Sequence, residues 1–349
     1  MSGPGIAPVA HLHPDDLPTT EGTWAEVEPY PFIGGGSFIL DSPESPEPLW
    51  GAGDEVLWAD GEALIIAGGQ GLGKTTIAQQ LALGRCGFDE YAELLGFPIA
   101  PGIGRVLYLA MDRPRQAARS FRRMVGASWR TELDERLVVW QGPPPTDLAK
   151  TPSMLRVLCQ HAQADTVIVD SLKDAAIGLT DDEVGAGYNR ARQMAITAGV
   201  QVIELHHQRK AQQGTRGTVT VDDLYGSTWL PSGAGSVLIL TGAPGDPIVG
   251  LSHVKQPATE VGPLKVIHDH DTGRSQVWQG ADLLAAVQAA PGGLTALEAA
   301  GLIFESEQPS AAEREKARRR LDKLAKDDLI RVLVEGDRAS GTPRKWGVR

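Results

Sequence analysis

The glycine-rich stretch GGQGLGKT, residues 68–75, follows the apolar run ALIIAG and leads into the helix-like run KTTIAQQLALGR. It fits the pattern G-x-x-x-x-G-K-[ST], in which glycines let backbone N–H groups turn inward around phosphate oxygens. The helix that begins near Gly73 adds the positive end of its dipole. A glycine-rich turn without a ligand is the alternative. The position between strand and helix favours a P-loop that holds a nucleoside triphosphate.

Each part of this loop has a predicted role. Lys74 is expected to lie across the β- and γ-phosphates, and the Thr75 hydroxyl to complete the shell of a Mg²⁺ ion. ATP and Mg²⁺ are therefore the predicted cofactors. The predicted nucleotide contacts are Gly69, Gly71, Leu72, Gly73, Lys74, Thr75 and Thr76.

A second acidic group is needed beside the loop, on a neighbouring strand, to position the metal ion and its water. The run TVIVD supplies Asp170 at the end of a buried strand, where an unpaired carboxylate would be costly. An ordinary helix-capping aspartate is the alternative. Thr75 and Asp170 are the predicted Mg²⁺ ligands.

From about residue 50, short apolar strands alternate with amphipathic helices. Strands without strict alternation, separated by helices, are typical of a parallel sheet covered on both faces, and so of an α/β fold. The stretch 249–278 is expected to form two or three shorter strands. The predicted strands are 63–68, 105–111, 137–140, 166–170, 200–205 and 236–240, and the predicted helices are 74–85, 115–125, 152–163 and 183–198.

Composition divides the chain into three parts. Residues 1–48 are rich in Pro, Gly and acidic residues, which predicts a flexible arm. Residues 49–282 are the predicted ATPase domain, and AAPGGLT (289–295) marks a boundary. Residues 291–349 read as helix, helix and strand pair, the order of a winged-helix module. Ser310 and Glu313 form a predicted capping box there.

Charge and cysteine content exclude several classes of protein. The net charge of −11 over 349 residues excludes a basic nucleic-acid coat, although residues 310–349 carry twelve Lys and Arg against seven Asp and Glu. Two distant cysteines, Cys86 and Cys159, argue against a zinc cluster or disulfide framework. With no signal peptide and no run of membrane-spanning length, we expect a cytoplasmic protein that does not enter a membrane. The run HDHD (268–271) resembles a metal cluster but is expected to be a hairpin turn with solvated side chains.

Asp112 ends the strand after the P-loop helix, in RVLYLAMDRP, where it could also cap the next helix. With these motifs the sequence resembles the RecA-fold ATPases of the replicative helicase type, especially the hexameric RepA-like helicases and their DnaB-like relatives, over about residues 50–280. The resemblance implies a RecA-like core with a mostly parallel twisted sheet. It places Asp112 where the family has a catalytic glutamate, and Arg119 where a side chain stacks on adenine.

The resemblance continues through the run that ends in ELHHQRK. It implies that His207, or its neighbour His206, contacts the γ-phosphate, and that Arg209 or Lys210 reaches the γ-phosphate of a neighbouring subunit. It also implies that the following loop, with Lys210 and Arg216, touches DNA. Structural histidines and a solvated loop are the alternatives.

The C-terminal run REKARRRLDKLAK offers basic side chains to phosphates if its helix enters a DNA groove. A basic helix with a structural role, or one that docks a partner, are the alternatives because acidic residues are interspersed. The predicted DNA contacts in this run are Arg318, Arg319 and Lys323.

Together these features predict an ATP-dependent DNA helicase that acts on single-stranded or forked DNA in replication or recombination. The expected assembly is a homo-oligomer, as a hexameric ring or a filament. A RadA-type recombinase or recombination mediator is one alternative, and an ATP-gated, sequence-specific DNA-binding regulator is another. Turnover strongly stimulated by single-stranded DNA would favour the motor, and slow turnover with preference for one duplex sequence would favour the regulator.

Overall fold

The structure is a computed structural model that describes residues 33–209, 219–246, 248–278, 283–304, 306–326, 328–336 and 342–348. The chain divides into two compact units, Met1–Val277 and Trp278–Arg349. The predicted contacts Lys210 and Arg216, and most of the predicted N-terminal arm, lie outside the described residues.

The described part of the first unit contains thirteen strands. They are β1 (Pro48–Ala52), β2 (Glu55–Ala59), β3 (Leu64–Gly68), β4 (Glu93–Leu94), β5 (Phe97–Pro98), β6 (Arg105–Ala110), β7 (Leu137–Gln141), β8 (Ala164–Asp170), β9 (Gln201–His207), β10 (Ser236–Thr241), β11 (Ile248–Lys255), β12 (Leu264–His268) and β13 (Ser275–Val277).

Its helices lie mainly between consecutive strands. They are α1 (Gly35–Leu40), α2 (Lys74–Arg85), α3 (Pro114–Arg122), α4 (Arg130–Arg136), α5 (Ser153–Ala162), α6 (Leu172–Ala175), α7 (Asp182–Thr197) and α8 (Trp229–Ser232). Three short 3₁₀ turns, Asp89–Tyr91, Ala127–Trp129 and Val221–Asp223, complete the set in the described ranges.

Nine of these strands form one sheet in the order β13-β12-β11-β10-β3-β9-β8-β6-β7. The six strands from β10 to β7 are parallel, and β11, β12 and β13 continue the sheet in antiparallel fashion. Buried apolar clusters cover both faces, one around α2 and the other around α5 and α7. The predicted α/β fold with a mostly parallel sheet is confirmed.

Two hairpins escape the sequence analysis. Strands β1 and β2 pair in antiparallel fashion, as do β4 and β5. Trp50 and Trp58, which face each other across β1 and β2, are fully buried in the cluster around α2. Within the predicted arm, α1 forms a single short helix whose residues are all exposed.

A buried ion pair fixes α7 on the sheet. Arg192 from α7 donates two hydrogen bonds to Glu204 from β9, at 2.6 and 2.8 Å, and both side chains are 0% exposed. The Tyr188 hydroxyl donates a third bond to Glu204 at 3.0 Å. Because all three groups are buried, loss of any one partner would leave an uncompensated polar group in the core.

The second unit contains α9 (Leu283–Gln288), β14 (Leu294–Thr295), α10 (Ala296–Phe304), α11 (Ala311–Lys326), β15 (Arg331–Val334) and β16 (Lys345–Gly347). Its sheet has the order β14-β16-β15. The division at Val277 falls ahead of the predicted boundary at 289–295 because α9 contacts α10 and β16. The predicted capping box is present, with Glu313 accepting from Ser310 N–H at 2.7 Å and Ser310 accepting from Glu313 N–H at 3.3 Å.

None of the helices in the described ranges combines the length and the apolar character that crossing a bilayer requires.

Two buried histidines give the fold a testable pH dependence. Burial lowers the pKa of His206, in β9, and of His253, in β11, to about 4. The unfolded chain, with an ordinary histidine pKa near 6.5, therefore binds more protons between these two values. Stability should be retained above about pH 6.5 and should fall as the pH drops towards 4.

Urea unfolding over a pH series will measure this loss. The variant His253→Gln removes one titrating group, so between pH 7 and 4.5 it should lose about 2 kcal/mol less than the unsubstituted chain. His161→Gln, at an exposed position on α5, is the matched control and should keep the original slope. Equal slopes for all three proteins would contradict the assignment.

Candidate nucleotide-binding site

The predicted P-loop connects the end of β3 to the start of α2. Gly71 and Gly73 have φ angles of 76° and 90°, a left-handed region that favours glycine. Gly73 is the N-cap of α2, which begins at Lys74 and ends at Arg85, as the sequence predicts. Gly69, Lys74, Thr75 and Thr76 are partly exposed and Leu72 is buried. The loop therefore presents backbone and polar side chains at the carboxyl edge of the parallel strands.

The Lys74 amino group lies against the loop itself. It donates to the carbonyl oxygens of Gly68 at 2.9 Å and Gly69 at 2.7 Å. Burial lowers the pKa of Lys74 to about 8, and the nearby charge of Asp170 acts in the opposite direction. A phosphate anion would offer this partly buried cation a charged acceptor in place of neutral carbonyls.

The Asp170 carboxylate joins three elements. Its Oδ2 atom accepts from the Tyr108 hydroxyl of β6 at 2.6 Å and from the Thr75 hydroxyl of α2 at 3.2 Å. Burial raises the pKa of Asp170, while these two hydrogen bonds and Lys74 act to lower it. The carboxylate thus faces the P-loop, and the helix-capping alternative is wrong because α6 has no side-chain cap.

These oxygens suit a magnesium ion. Mg²⁺ prefers hard oxygen ligands and is commonly held by one or two carboxylates together with substrate phosphates. The Thr75 hydroxyl and the Asp170 carboxylate are adjacent, so together they would hold the ion beside the phosphates. When bound, the ion would neutralise charge on the phosphates.

Asp112 lies just beyond the end of β6, two residues after Ala110, which pairs with Asp170 in the sheet. Its side chain is 58% exposed, and its Oδ2 atom accepts from Arg113 Nε at 2.8 Å. The N-cap of α3 is Arg113, without a side-chain cap bond, so Asp112 does not cap that helix. An exposed ion pair of this kind is weak, which leaves the carboxylate open to another partner.

The paired histidines at the end of β9 differ in environment. His206 is fully buried, and its Nε2 is hydrogen-bonded to the Tyr225 carbonyl. His207 is partly exposed, and its pKa is lowered first by burial and then by the charge of Lys74, while Asp112 acts to raise it. The structure therefore brings His207, Lys74 and Asp112 to one edge of the sheet, and leaves His206 inside it.

Two predicted site residues have other surroundings. Arg209 donates its backbone N–H to Asp223 at 2.8 Å and its side chain to the Gly226 carbonyl at 3.1 Å. Arg119 is exposed on α3. The structure thus places neither arginine beside Lys74, and their nucleotide contacts stay predictions.

Sequence reasoning missed two residues that contact the site. Tyr108 looks like an ordinary strand residue in RVLYLAM, since no pattern couples it to Asp170. The expectation of solvated side chains for HDHD is wrong for His268, which is buried and whose Nε2 lies 3.1 Å from the Leu72 carbonyl. Asp269 does form the expected turn, since it accepts from Thr272 and from backbone N–H groups.

The Tyr108 hydrogen bond can be tested with one atom. Tyr108→Phe keeps the ring packed on Phe121 but removes a donor that orients the Asp170 carboxylate. We expect the Mg²⁺ concentration for half-maximal ATP hydrolysis to rise about tenfold, as for other partners of metal ligands. A magnesium titration of turnover measures this.

Tyr188→Phe is the matched control, because Tyr188 is also a buried tyrosine whose hydroxyl donates to a carboxylate, that of Glu204. It should lower stability without changing the magnesium titration. An unchanged titration for Tyr108→Phe would show that the hydroxyl does not support the site.

Comparisons with known proteins place this geometry in a family. No curated protein matches the chain. Similar solved structures include an ATPase domain from another protein, with 14% identity and a TM-score of 0.44 over 62% of this chain and 84% of that one. A KaiC-like protein from Pyrococcus horikoshii OT3 has 17% identity and a TM-score of 0.44 over 68% of this chain and 100% of that one.

The AAA domain family matches residues 36–213, slightly more than half of the chain and the part that contains the P-loop, Asp112, Asp170 and His207. With the strand order described above, this match confirms the predicted RecA-like P-loop core. The chain belongs to the AAA domain family and is a P-loop ATPase.

Proposed function

We propose that this ATPase is a DNA motor of the RepA-like and DnaB-like helicase type that acts on single-stranded or forked DNA. Lys74, Thr75 and Asp170 bind ATP and Mg²⁺, and Asp112 orients the attacking water. His207 and the segment from Arg209 to Arg216 link the nucleotide to DNA. The active form is a homo-oligomer, as a hexameric ring or a filament.

One shared acceptor carries this proposal. The Gly68 carbonyl accepts from the Lys74 amino group at 2.9 Å and from the Gln208 backbone N–H at 3.4 Å. Gly68 also lies opposite His207 in the pairing of β3 with β9. A phosphate that draws Lys74 away would leave Gln208 as the remaining donor of the two. The nucleotide state would thus alter the start of the segment that leads to Lys210.

The surrounding acids favour Asp112 as the water-orienting group. Glu204 is held by Arg192 in the core. Glu62 precedes β3, at the end of that strand opposite to the P-loop, and burial raises its pKa. Asp112, by contrast, is exposed at the carboxyl edge, near enough to His207 for its charge to shift the pKa of that histidine.

Asp112→Asn should bind ATP with unchanged affinity but hydrolyse it about 100-fold more slowly, because an amide orients and accepts from water less well than a carboxylate. Single-turnover hydrolysis and equilibrium ATP binding separate these two effects. The same substitution at Asp134, exposed on α4, is the control and should leave turnover unchanged. Full activity in Asp112→Asn would remove Asp112 from the mechanism.

The second unit supports a DNA contact. Its order α9-β14-α10-α11-β15-β16, with β16 between the other two strands, is the order expected of a winged helix. Lys316, Arg319, Lys323 and Lys326 are exposed on one face of α11, while Ala317 and Leu321 are buried on the other. This basic face of α11, defined by those four residues, suits phosphate groups.

Arg318 is less suited to that contact than the sequence suggests. It donates to Glu315 at 2.7 and 2.9 Å and to Asp322 at 2.8 Å. Two carboxylates therefore compensate its charge. Arg319 shares Glu315, at 3.1 Å, but is 74% exposed. We accordingly assign the DNA contact to the basic face, which includes the predicted Arg319 and Lys323 and leaves out Arg318.

The motor can be distinguished from the other candidates in solution. We expect turnover stimulated at least tenfold by single-stranded DNA, unwinding of forked duplexes and rings in electron micrographs of the ATP-bound protein. Strand exchange without unwinding, together with filaments, would favour the recombinase. Unstimulated, slow turnover with tight binding to one duplex sequence would favour the regulator.

The basic face is tested by Lys316→Ala, Arg319→Ala and Lys323→Ala combined in the full-length chain. Loss of three phosphate contacts should weaken binding to forked DNA and reduce the slope of log affinity against log salt by about 2 to 3. Stimulation of turnover by single-stranded DNA should remain, because the proposed channel contacts lie in the first unit.

A control variant makes the same change in net charge elsewhere. Arg130→Ala, Lys150→Ala and Arg190→Ala combine three exposed cations of the first unit. This variant should bind forked DNA with an unchanged salt slope. If the two triple variants behave alike, the effect is one of net charge and the basic face has no specific role.

A further inference from the structure

His268, at the end of β12, packs directly on the P-loop. Its ring is buried, and Nε2 lies 3.1 Å from the Leu72 carbonyl oxygen. A methyl group added at Gly73 would overlap the imidazole, so the ring fills the space beside the first turn of α2. A residue 194 positions after Lys74 therefore forms one wall of the nucleotide loop.

Hydrogen bonds on the other side of the ring fix its orientation. Nδ1 lies 2.8 Å from the Ser275 hydroxyl of β13. The Ser275 hydroxyl in turn accepts from Gln80 Nε2 at 2.8 Å, and Ser275 N–H donates to Gln80 Oε1 at 3.0 Å. Gln80 belongs to α2, the helix that the P-loop begins. The contacts thus start and end on the same loop-helix unit.

The positions of the protons follow from the acceptors. A carbonyl oxygen only accepts, so Nε2 of His268 carries the proton and donates it to Leu72. Nδ1 is then an acceptor for the Ser275 O–H, whose oxygen accepts from Gln80. Burial also lowers the pKa of His268, which agrees with a neutral ring. Each polar group in the chain from Leu72 to Gln80 has a partner.

This anchor determines which way one peptide group faces. The Leu72 C=O and the Gly73 N–H belong to the same planar trans peptide and point in opposite directions. Because His268 holds the carbonyl on the outer side of the loop, the Gly73 N–H is turned towards its inner side. A P-loop binds phosphate through such inward N–H groups.

We propose that His268 is a positioning residue for nucleotide binding, which holds the Leu72–Gly73 peptide with its N–H directed at the phosphates. Ser275 and Gln80 hold His268 in turn. The proposal rests on nucleotide binding at the P-loop and adds a residue from the antiparallel side of the sheet to that site.

Two substitutions of His268 in the full-length chain separate position from bulk. His268→Leu fills the space but cannot donate to the Leu72 carbonyl, so affinity for ADP with Mg²⁺ should fall about tenfold. His268→Gln retains an amide N–H that can reach the same carbonyl, so its affinity should stay within about threefold of the original. Titration calorimetry with ADP measures both.

His253 supplies a matched control within the same sheet. It is also buried and bonded to a serine, with Nε2 2.9 Å from the Ser236 hydroxyl. It lies in β11 opposite Leu238, at the end of the strands away from the P-loop. His253→Leu should lower the thermal midpoint without nucleotide, as His268→Leu does, while ADP affinity should not change.

Three results would overturn the proposal. They are unchanged ADP affinity in His268→Leu, equal losses of affinity in His268→Leu and His268→Gln, and a loss in His253→Leu as large as that in His268→Leu. If His268→Leu does not fold, Ser275→Ala replaces it. Without the Ser275 hydroxyl the imidazole is less well fixed, so affinity should fall about threefold, and unchanged affinity would overturn the proposal.

The unsubstituted chain separates this inference from the assigned activity. If it binds no nucleotide in the same titration, the nucleotide site itself is wrong. If it binds ADP tightly and His268→Leu binds equally well, only the role of His268 fails.

Discussion

The hydrogen bonds to the Asp170 carboxylate hold the nucleotide site together. A carboxylate this close to the core is costly unless it is paired, and here Tyr108 and Thr75 supply donors from β6 and α2. The strand after the P-loop helix, the strand of Asp170 and the P-loop helix are therefore fixed at one point before any ligand binds. Lys74 and Asp112 take their positions relative to that point, since one follows the loop and the other follows β6.

The same edge shows how far sequence patterns reach. Apolar runs and the glycine-rich motif predict β3, the P-loop and the bounds of α2, because these depend on residues close together in the chain. They also predict Asp170 and Asp112 as strand-end acids. Tyr108 and His268 could not be found this way, because each meets the site only through the pairing of distant strands.

The ion pair of Arg192 with Glu204 illustrates the same limit in the core. Twelve residues separate the two in the chain, and neither lies in a pattern that marks a buried charge. The hairpin of β1 and β2 escapes sequence reasoning for a related reason, since its flanking Pro and acidic residues read as a continuation of the arm. On α11 the sequence shows how many cations there are, while only the helix faces separate the paired Arg318 from the exposed Lys316 and Lys323.

The place where the first unit ends limits how such a chain can be rebuilt by domain exchange. Ser275 and His268 lie two and nine residues before Val277, the last residue of that unit. A graft joined after Val277 keeps the complete set of contacts from Leu72 to Gln80. A graft joined before His268 would keep every motif that identifies the ATPase and yet remove the wall of its P-loop. Recombination among such genes, natural or engineered, should therefore tolerate junctions after Val277 better than junctions within β12 and β13.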